Sequence, residues 1–310
     1  MFKKLITAGM LVACAQALTA TAAVGAALEE IHVTAIRGTK DARESVSAVS
    51  IVSRESLAQS QPAIITDALK GAPGVFVQQT TPGQGTAIIR GLKGSEILHL
   101  VDGMRLNNAL FRNAPNQYLA LIDPWIIERS DIVRGPLSSI YGSDAMGGVV
   151  HLISSRPSFT GEQWNTQSRF RVAYDSSTLG QTFNAAVASG RDGFATGASF
   201  SYQSFDDVRA ADRQVQAPSG YRARAASAFT VLTDKQDRLW DLSVQFLEQP
   251  ATPRYDELVP GFGQTQPASQ QFLFMPNSRL FVHGSHKSAG YGRWLDALEI
   301  HLGWQQMRDG

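Results

Sequence analysis

The chain has 310 residues, a formal net charge of +1 and 18% charged residues. This near-neutral balance, with no large basic patch, argues against a nucleic-acid-binding protein. The single cysteine, Cys14, lies near the N-terminus, so the rest of the chain has no disulfide and no thiolate metal site, which fits an exported bacterial protein. Beyond the N-terminal region no run of about 18 apolar residues occurs, which excludes membrane-spanning helices. A membrane role would therefore require a β-barrel.

Residues 1–27 are typical of a secretory signal peptide. Lys3-Lys4 precede a short apolar core, Leu5–Ala13, and small residues continue to the end of the segment. Cleavage could follow Ala22 or Ala26. A lipoprotein signal that ends at Cys14 is the alternative, because the three residues before that cysteine suit lipid attachment. The first interpretation is favoured, since a lipoprotein leader of this length would be unusually short.

Residues 28–45 predict an extended segment, followed by a polar and flexible stretch, between the leader and the first domain. Ile31, Val33 and Ala35 alternate with His32 and Thr34, a spacing that suits an extended chain better than a helix. On its own, the pattern suits the first strand of the following domain.

Residues 46–156 predict a small α+β domain. Ser53 is a suitable N-cap for a short helix, and a second short helix at residues 66–70 ends before Gly71 and Pro73. Between and after them lie short apolar runs with β-strand character, separated by glycine and proline turns. The predicted strands cover residues 46–52, 75–78, 87–90, 97–101, 104–106, 132–133 and 149–153.

The stretch from Asp131 to Ser154 organises this domain. An apolar strand ends at Arg134, a turn of small residues follows, and an apolar strand begins at Val149. The stretch contains no nucleophile–base pair and no phosphate-binding loop, so its residues alone indicate a scaffold. Three different motifs follow one another along the domain. They are Ile89–Gly91, Leu100–Asn108 with Asp102 and Gly103, and the final stretch with Gly135, Pro136, Tyr141, Gly142, Gly147 and Gly148.

Together the three motifs resemble the plug domain of TonB-dependent outer-membrane receptors. The resemblance implies that Ile31, His32, Val33, Thr34 and Ala35 form a TonB box, the segment that pairs with the periplasmic energy-coupling protein TonB. The ordinary first strand of a plug remains the alternative.

The resemblance also implies two further sets of functional residues. Arg90 and Arg134 would pair with carboxylates on the inner barrel wall and hold the plug in place; the alternative is a pair of solvent-facing arginines. A loop at the plug apex would face the extracellular ligand, although the same composition suits any irregular connection. The loop residues concerned are Phe111, Arg112, Asn113, Asn116 and Tyr118.

Residues 157–310 predict the N-terminal part of an antiparallel transmembrane β-barrel. Apolar residues alternate with polar ones over segments of roughly ten residues that carry aromatic side chains near their ends. A soluble β-sandwich would share the alternation, but the aromatic ends and the polar partner face favour a membrane wall. One such segment holds Trp240, Leu242, Val244 and Phe246. Residues 250–276 are long, polar and rich in proline and glycine, so we expect an extracellular loop.

We count about seven such segments, whereas a barrel wide enough to hold a plug has about 22 strands. The fold class is thus an α+β plug followed by an incomplete barrel. We expect a truncated chain, the front part of a longer receptor, and as written no working pore.

The arrangement of the acidic, histidine and glycine residues argues against an enzyme. Asp206-Asp207 and Asp256-Glu257 are adjacent carboxylates, which point to opposite faces of a strand and make a poor acid–base pair. His283 and His286 lie in strand-like sequence, so a metal site is not expected. Residues 82–85 lack the third glycine and the following helix of a dinucleotide-binding loop.

The sequence therefore predicts a TonB-dependent receptor in the outer membrane of a Gram-negative bacterium, reached after Sec export. Its partners would be TonB, outer-membrane lipid and an extracellular iron carrier, with no nucleic acid and no permanently bound cofactor. The resemblance is strongest to the haem/haemoglobin-type subgroup, so the expected ligand is haem or a ferric siderophore, and His99 and His283 could face a haem iron. The alternatives are a receptor that signals or binds without transport and a non-functional truncated product.

Overall fold

The structure is a computed structural model. It describes residues 32–36, 38–41, 48–107, 118–210, 214–291 and 295–310. By internal contacts the chain divides into residues 1–32 and 33–310. The predicted signal peptide lies outside the described residues.

The first part of the described chain is an α+β domain, residues 48–156, which we call the plug. Its central sheet has five strands in the order β3-β9-β10-β7-β8, in which β10 and β7 are parallel and the other pairs are antiparallel. A second sheet has the order β4-β5-β6, and β1 and β2 form a two-stranded sheet before the plug. The strands are β1 (His32–Ile36), β2 (Gly38–Asp41), β3 (Ala48–Ser53), β4 (Val75–Gln78), β5 (Thr86–Ile89), β6 (Leu92–Lys93), β7 (Ile97–Val101), β8 (Met104–Arg105), β9 (Ile127–Arg134) and β10 (Gly148–Ser154).

Three short α-helices complete the plug. They are α1 (Arg54–Ser60), α2 (Ile65–Leu69) and α3 (Ser138–Tyr141), together with single 3-10 turns at Gly94–Glu96, Tyr118–Leu121 and Pro124–Ile126. The Ser53 hydroxyl accepts a hydrogen bond from the Ser56 amide at 3.4 Å, which makes it the N-cap that the sequence predicts for α1. The helix ends at Gln61, whose φ of 45° is left-handed.

The plug core lies on both sides of β10, the middle strand of the sheet. Val149, Val150 and Leu152 are all buried, as are Ile97 and Ile132 on the neighbouring strands. A strand covered on both faces is mostly apolar, which is the pattern that the sequence shows here apart from His151. Gly148 begins this strand, and a Cβ atom at that position would overlap the carbonyl oxygen of Val133. Gly148 thus permits β9 and β10 to approach closely.

The second part of the chain forms one antiparallel sheet of seven strands, which we call the large sheet. Each strand pairs with the next along the sheet in a continuous register. Two small hairpins stand in the long connections, one between β13 and β16 and one between β17 and β20. The strands are β11 (Asn165–Asp175), β12 (Gly180–Arg191), β13 (Phe194–Phe205), β14 (Val208–Arg209), β15 (Val215–Gln216), β16 (Tyr221–Thr233), β17 (Leu239–Gln249), β18 (Thr252–Pro253), β19 (Leu273–Phe274), β20 (Asn277–Tyr291) and β21 (Leu295–Asp309).

The two faces of the large sheet differ in polarity. On one face, Phe170, Phe200 and Phe246 lie in a single cross-strand row, and all three are exposed. On the other face, polar side chains such as Gln203 and Gln245 are buried beneath the plug. This arrangement is the apolar-out, polar-in pattern of a transmembrane β-barrel wall.

No helix within the described part of the chain has the length and apolar character needed to cross a membrane.

Candidate functional site at the interface between plug and large sheet

The turn between β7 and β8 lies at the centre of the interface. Asp102 and Gly103 both have positive φ values, 48° and 82°, which the tight turn of this hairpin requires. One carboxylate oxygen of Asp102 accepts a hydrogen bond from the Ser154 amide at 2.8 Å, and the other accepts one from Nε2 of Gln245 at 3.2 Å. The Asp-Gly motif of the sequence therefore both closes a turn and joins the plug to β17.

Arg156, at the end of the plug, reaches the large sheet directly. Its Nε donates to Oδ2 of Asp241 on β17 at 2.6 Å, and its Nη2 lies 3.5 Å from Oδ2 of Asp102. Gln245 extends the network, because its side-chain oxygen accepts from Nη1 of Arg279 at 3.2 Å. Arg279 in turn donates to Gln305 at 2.9 Å. A continuous polar network thus joins the plug to β17, β20 and β21.

A second contact lies where Asp123 meets β13. The Ser201 hydroxyl donates to Oδ2 of Asp123 at 2.6 Å, and the Trp125 amide donates to Oδ1 at 3.0 Å. Burial raises the pKa of the Asp123 carboxyl, while these two donors oppose that shift. Nearby, Gln203 donates to the carbonyl oxygen of Ala63 at 2.9 Å. Polar groups of the sheet therefore satisfy buried acceptors of the plug.

A third contact joins the turn between β4 and β5 to the long connection after β17. Gln249 donates to the carbonyl oxygen of Gly83 at 3.0 Å, and the Asp256 amide donates to that of Thr80 at 3.3 Å. A Cβ atom at Gly83 would lie 2.9 Å from the Thr252 side chain. The sequence predicts a glycine and proline turn here. It does not predict the contact of this turn with the expected extracellular loop, which only the structure shows.

The predicted ligand-facing loop is described only at its end. Phe111, Arg112, Asn113 and Asn116 lie outside the described residues. Tyr118 is buried, and its hydroxyl donates to Oδ2 of Asp309 at 3.2 Å. This side chain therefore points at the large sheet rather than into open solvent.

Arg90 and Arg134, the two arginines predicted to hold the plug in place, lie close to each other, at the end of the central plug sheet away from Asp102. Arg134 donates to the Ser50 hydroxyl at 2.8 Å and to the carbonyl oxygen of Pro73. Arg90 is exposed, and a Cβ atom on Gly135 would lie 3.3 Å from its guanidinium. Across the described residues, neither arginine forms a salt bridge with a residue of the large sheet. Their predicted pairing with barrel carboxylates stays a prediction.

The remaining motif residues of the plug lie in turns or at close packing contacts. Pro136 is exposed just after β9, and Tyr141 ends α3 before Gly142, whose φ is 83°. A Cβ atom at Gly147 would lie 2.5 Å from the Ile97 side chain. In the predicted TonB box, β1 covers His32 to Ala35 and Ile31 lies outside the described residues.

The two histidines considered for haem lie in different settings. His99 is buried within the plug, where its amide donates to Asn107 at 2.9 Å, and burial lowers its pKa to about 4. His283 is also buried, and its Nε2 is 3.0 Å from Nδ1 of His301 on β21. Within the described ranges, no group of three or more His, Cys, Asp or Glu residues could hold a metal ion. The hydrogen bonds and the salt bridge of this interface hold the plug against the large sheet.

Comparison with known proteins shows which proteins this chain resembles. Residues 41–149 match the family described as TonB-dependent Receptor Plug Domain. The vitamin B12 transporter BtuB of Vibrio vulnificus (strain CMCP6) is 33% identical over 130 residues, which is 41% of this chain and 21% of the transporter.

Two solved structures share the fold over most of the chain. The copper transporter OprC covers 80% of this chain with a TM-score of 0.66 and 16% identity. The ferric enterobactin receptor PfeA of Pseudomonas aeruginosa covers 84% with a TM-score of 0.61 and 16% identity. The chain spans 35% and 41% of these two structures, well under half of each.

The relatives are named as transporters and receptors rather than enzymes, in agreement with the sequence analysis. At 16% identity the solved structures show a shared fold only. That fold is a plug followed by an antiparallel sheet like the wall of a receptor barrel. Residues 41–149 therefore match the TonB-dependent receptor plug domain, and they lie against a seven-stranded antiparallel sheet whose fold is shared with OprC and PfeA.

Proposed function

We propose that the protein is a TonB-dependent outer-membrane receptor that imports an iron-containing ligand, haem or a ferric siderophore. The observation that carries this proposal is a plug domain docked on the polar face of a sheet whose opposite face is apolar. An exposed row of phenylalanines is stable in lipid and costly in water. In a barrel completed by further strands, a plug on the polar inner face would block the passage through the lumen.

The proposed parts follow the chain. Residues 1–27 direct Sec export, residues 28–45 carry the TonB box, residues 46–156 form the plug and residues 157–310 contribute to the barrel. Ile31 to Ala35 pair with TonB by strand addition, for which backbone amides matter more than side chains. Arg90 and Arg134 help to hold the plug, and the loop from Phe111 to Asn116 contacts the ligand outside the cell.

A cobalamin is the second candidate ligand. It is favoured by the 33% identity to a protein named as a vitamin B12 transporter, because the matched segment is a sizeable part of this chain. The solved relatives are named for copper and ferric enterobactin, so the shared fold does not discriminate between ligands.

Ligand and energy coupling can be tested in one strain. A deletion strain that carries the gene is grown with haem, a ferric siderophore or vitamin B12 as the limiting nutrient. We expect growth on haem or the siderophore and loss of that growth in a Val33→Pro variant, because proline removes a backbone donor from the coupling segment. Ser45→Pro, in the polar stretch that follows, is the matched control and should keep growth. Growth on vitamin B12 alone would select the second candidate, and growth that is unaffected by Val33→Pro would contradict TonB coupling.

A further inference from the structure

A cavity of about 160 Å³ lies between the plug and the large sheet. One cross-strand row of the sheet faces it, and the side chains at the centre of that row are small, which leaves the space open. In register order the row is Arg169, Ala186, Ser199, Ser227 and Gln245. A cavity of about 150 Å³ can hold a benzene molecule, so this one has room for a single six-membered ring. It is too small for haem or an intact siderophore.

The lining of the cavity carries a positive charge without a counterion. Arg54 and Arg156 line it from the plug, but Arg54 is paired with Glu128, and Arg156 is paired with carboxylates on both sides of the interface. Arg169, on β11, forms no hydrogen bond or salt bridge with any described residue. Of the charges that act on it, those of Arg54 and Arg171 are repulsive and that of Glu128 is attractive. An anion in the cavity would therefore find its counterion in Arg169.

The cavity lining also holds hydrogen-bond donors that lack acceptors. Within the described residues, Nε1 of Trp125, which can only donate, and the hydroxyl of Ser243 are buried without a hydrogen-bond partner. The hydroxyls of Ser199 and Ser227 share one hydrogen bond at 2.8 Å, which leaves one of their two hydrogens for another acceptor. Buried donors without acceptors are costly, so these groups favour a ligand that accepts hydrogen bonds.

Aromatic and apolar side chains form another part of the lining. Trp125 and Ile126 lie on the plug side, and Phe229 lies on the sheet side. The ring of Phe229 fits against the sheet because its neighbour is Gly197, at which a Cβ atom would lie 2.6 Å from the ring. Rings of this kind pack well against a flat aromatic ligand. Arginine, in turn, can bind a carboxylate with two parallel N–H groups.

We propose that this cavity binds a small aromatic carboxylate, with its ring among Trp125, Ile126 and Phe229 and its carboxylate on Arg169. The site goes beyond the proposed function, because it is too small for the imported ligands named above and does not depend on which of them is carried. It is a second site, enclosed between the plug and the large sheet.

Binding of benzoate to the purified chain in zwitterionic detergent, measured by isothermal titration calorimetry, tests the site. Benzamide is the matched probe that keeps the ring and loses the charge, and acetate keeps the carboxylate and loses the ring. We expect benzoate to bind at least about tenfold more tightly than either of them. No binding of benzoate would overturn the proposal, and so would equal binding of benzoate and benzamide or of benzoate and acetate.

Substitution of Arg169 tests the predicted counterion. Arg169→Gln should weaken benzoate binding at least about tenfold and leave benzamide binding unchanged, while Arg169→Lys should recover part of the loss. Arg191→Gln is the matched control, because Arg191 lies on the neighbouring strand, is exposed and faces the Trp164 ring at 5.8 Å, outside the cavity. Benzoate binding that is equal in wild type, Arg169→Gln and Arg191→Gln would show partition into detergent only and would overturn the site.

A second variant fills the cavity and keeps every charge. Ser227→Leu should abolish benzoate binding at an unchanged content of β-structure, which circular dichroism measures. Benzoate binding as in wild type would place the ligand elsewhere and contradict the proposal. Arg169→Gln decides the question if Ser227→Leu does not fold, since the Arg169 side chain is exposed and its substitution removes no hydrogen bond to a described residue.

Discussion

Acidification should weaken the plug sheet through His151, on β10. Its Nε2 accepts a hydrogen bond from the Gly103 amide at 3.0 Å, which requires the ring to be neutral at that nitrogen. Burial lowers the pKa of this ring to about 4, although the nearby Asp102 carboxylate opposes the shift. The buried ring of His99, on the adjacent strand β7, has a pKa of about 4 for the same reason.

The sign and size of the effect follow from linkage. An unfolded histidine has a pKa of about 6.5, so between that value and about 4 the unfolded chain binds more protons than the folded one. The contribution of each ring to stability is therefore fully present above about pH 6.5 and is lost as the pH falls towards 4. At pH 5 the loss is about 2 kcal/mol for each histidine. Asp123 opposes the trend, because its raised pKa favours the folded state at low pH.

Hydrogen exchange of the β7 and β10 amides, corrected for its intrinsic pH dependence, measures this loss. Between pH 7.5 and pH 5 the protection factor should fall about 30-fold for each histidine that opening exposes. His151→Asn keeps an acceptor for the Gly103 amide but cannot titrate. Between pH 7.5 and pH 5 the protection factor of the variant should therefore fall about 30-fold less than that of the wild type. Because Asp123 is present in both proteins, the comparison cancels its contribution. Equal pH dependence in wild type and variant would refute the reasoning.

Two further substitutions test the packing of the plug and the orientation of the large sheet. Gly148→Ala should destabilise the plug by about 1–3 kcal/mol, because the added methyl group overlaps the Val133 carbonyl oxygen; urea unfolding would measure this, and a neutral effect would contradict the close approach of β9 and β10. Val244→Arg, in the exposed apolar row of β17, should destabilise the folded protein in lipid vesicles by about 2–4 kcal/mol. Gln236→Arg, in the exposed turn before β17, should change stability little, and equal effects of the two would contradict a lipid-facing sheet.

Local patterns in the sequence were sufficient to predict much of the plug. The apolar run 149–153 corresponds to β10 (Gly148–Ser154), and Ser53 is the N-cap of α1 as expected. Strict alternation along β17 predicted which side chains of the large sheet face outward. These features depend on neighbours in sequence, so periodicity and capping rules reach them.

The interface could not be predicted in the same way. Arg156 and Asp241 are 85 residues apart, and their pairing depends on how β17 is positioned over the plug. Arginine before proline at a domain boundary carries no signal for a salt bridge. Tyr118 looked like part of a ligand loop by composition, yet it is buried against Asp309, 191 residues later. Contacts between residues so far apart in the sequence are set by tertiary packing and leave no local sequence pattern.

Disulfide cross-linking in intact cells tests most directly whether the plug is seated on the polar face of the large sheet. In a Cys14→Ser background, Asp123→Cys is combined with Ser201→Cys, because the two native side chains meet at 2.6 Å. The matched pair combines Asp123→Cys with Phe200→Cys, the neighbouring residue whose side chain is exposed on the opposite face. Cross-linking of the first pair and not the second is the predicted result. Cross-linking of neither pair, or of both equally, would contradict this seating of the plug.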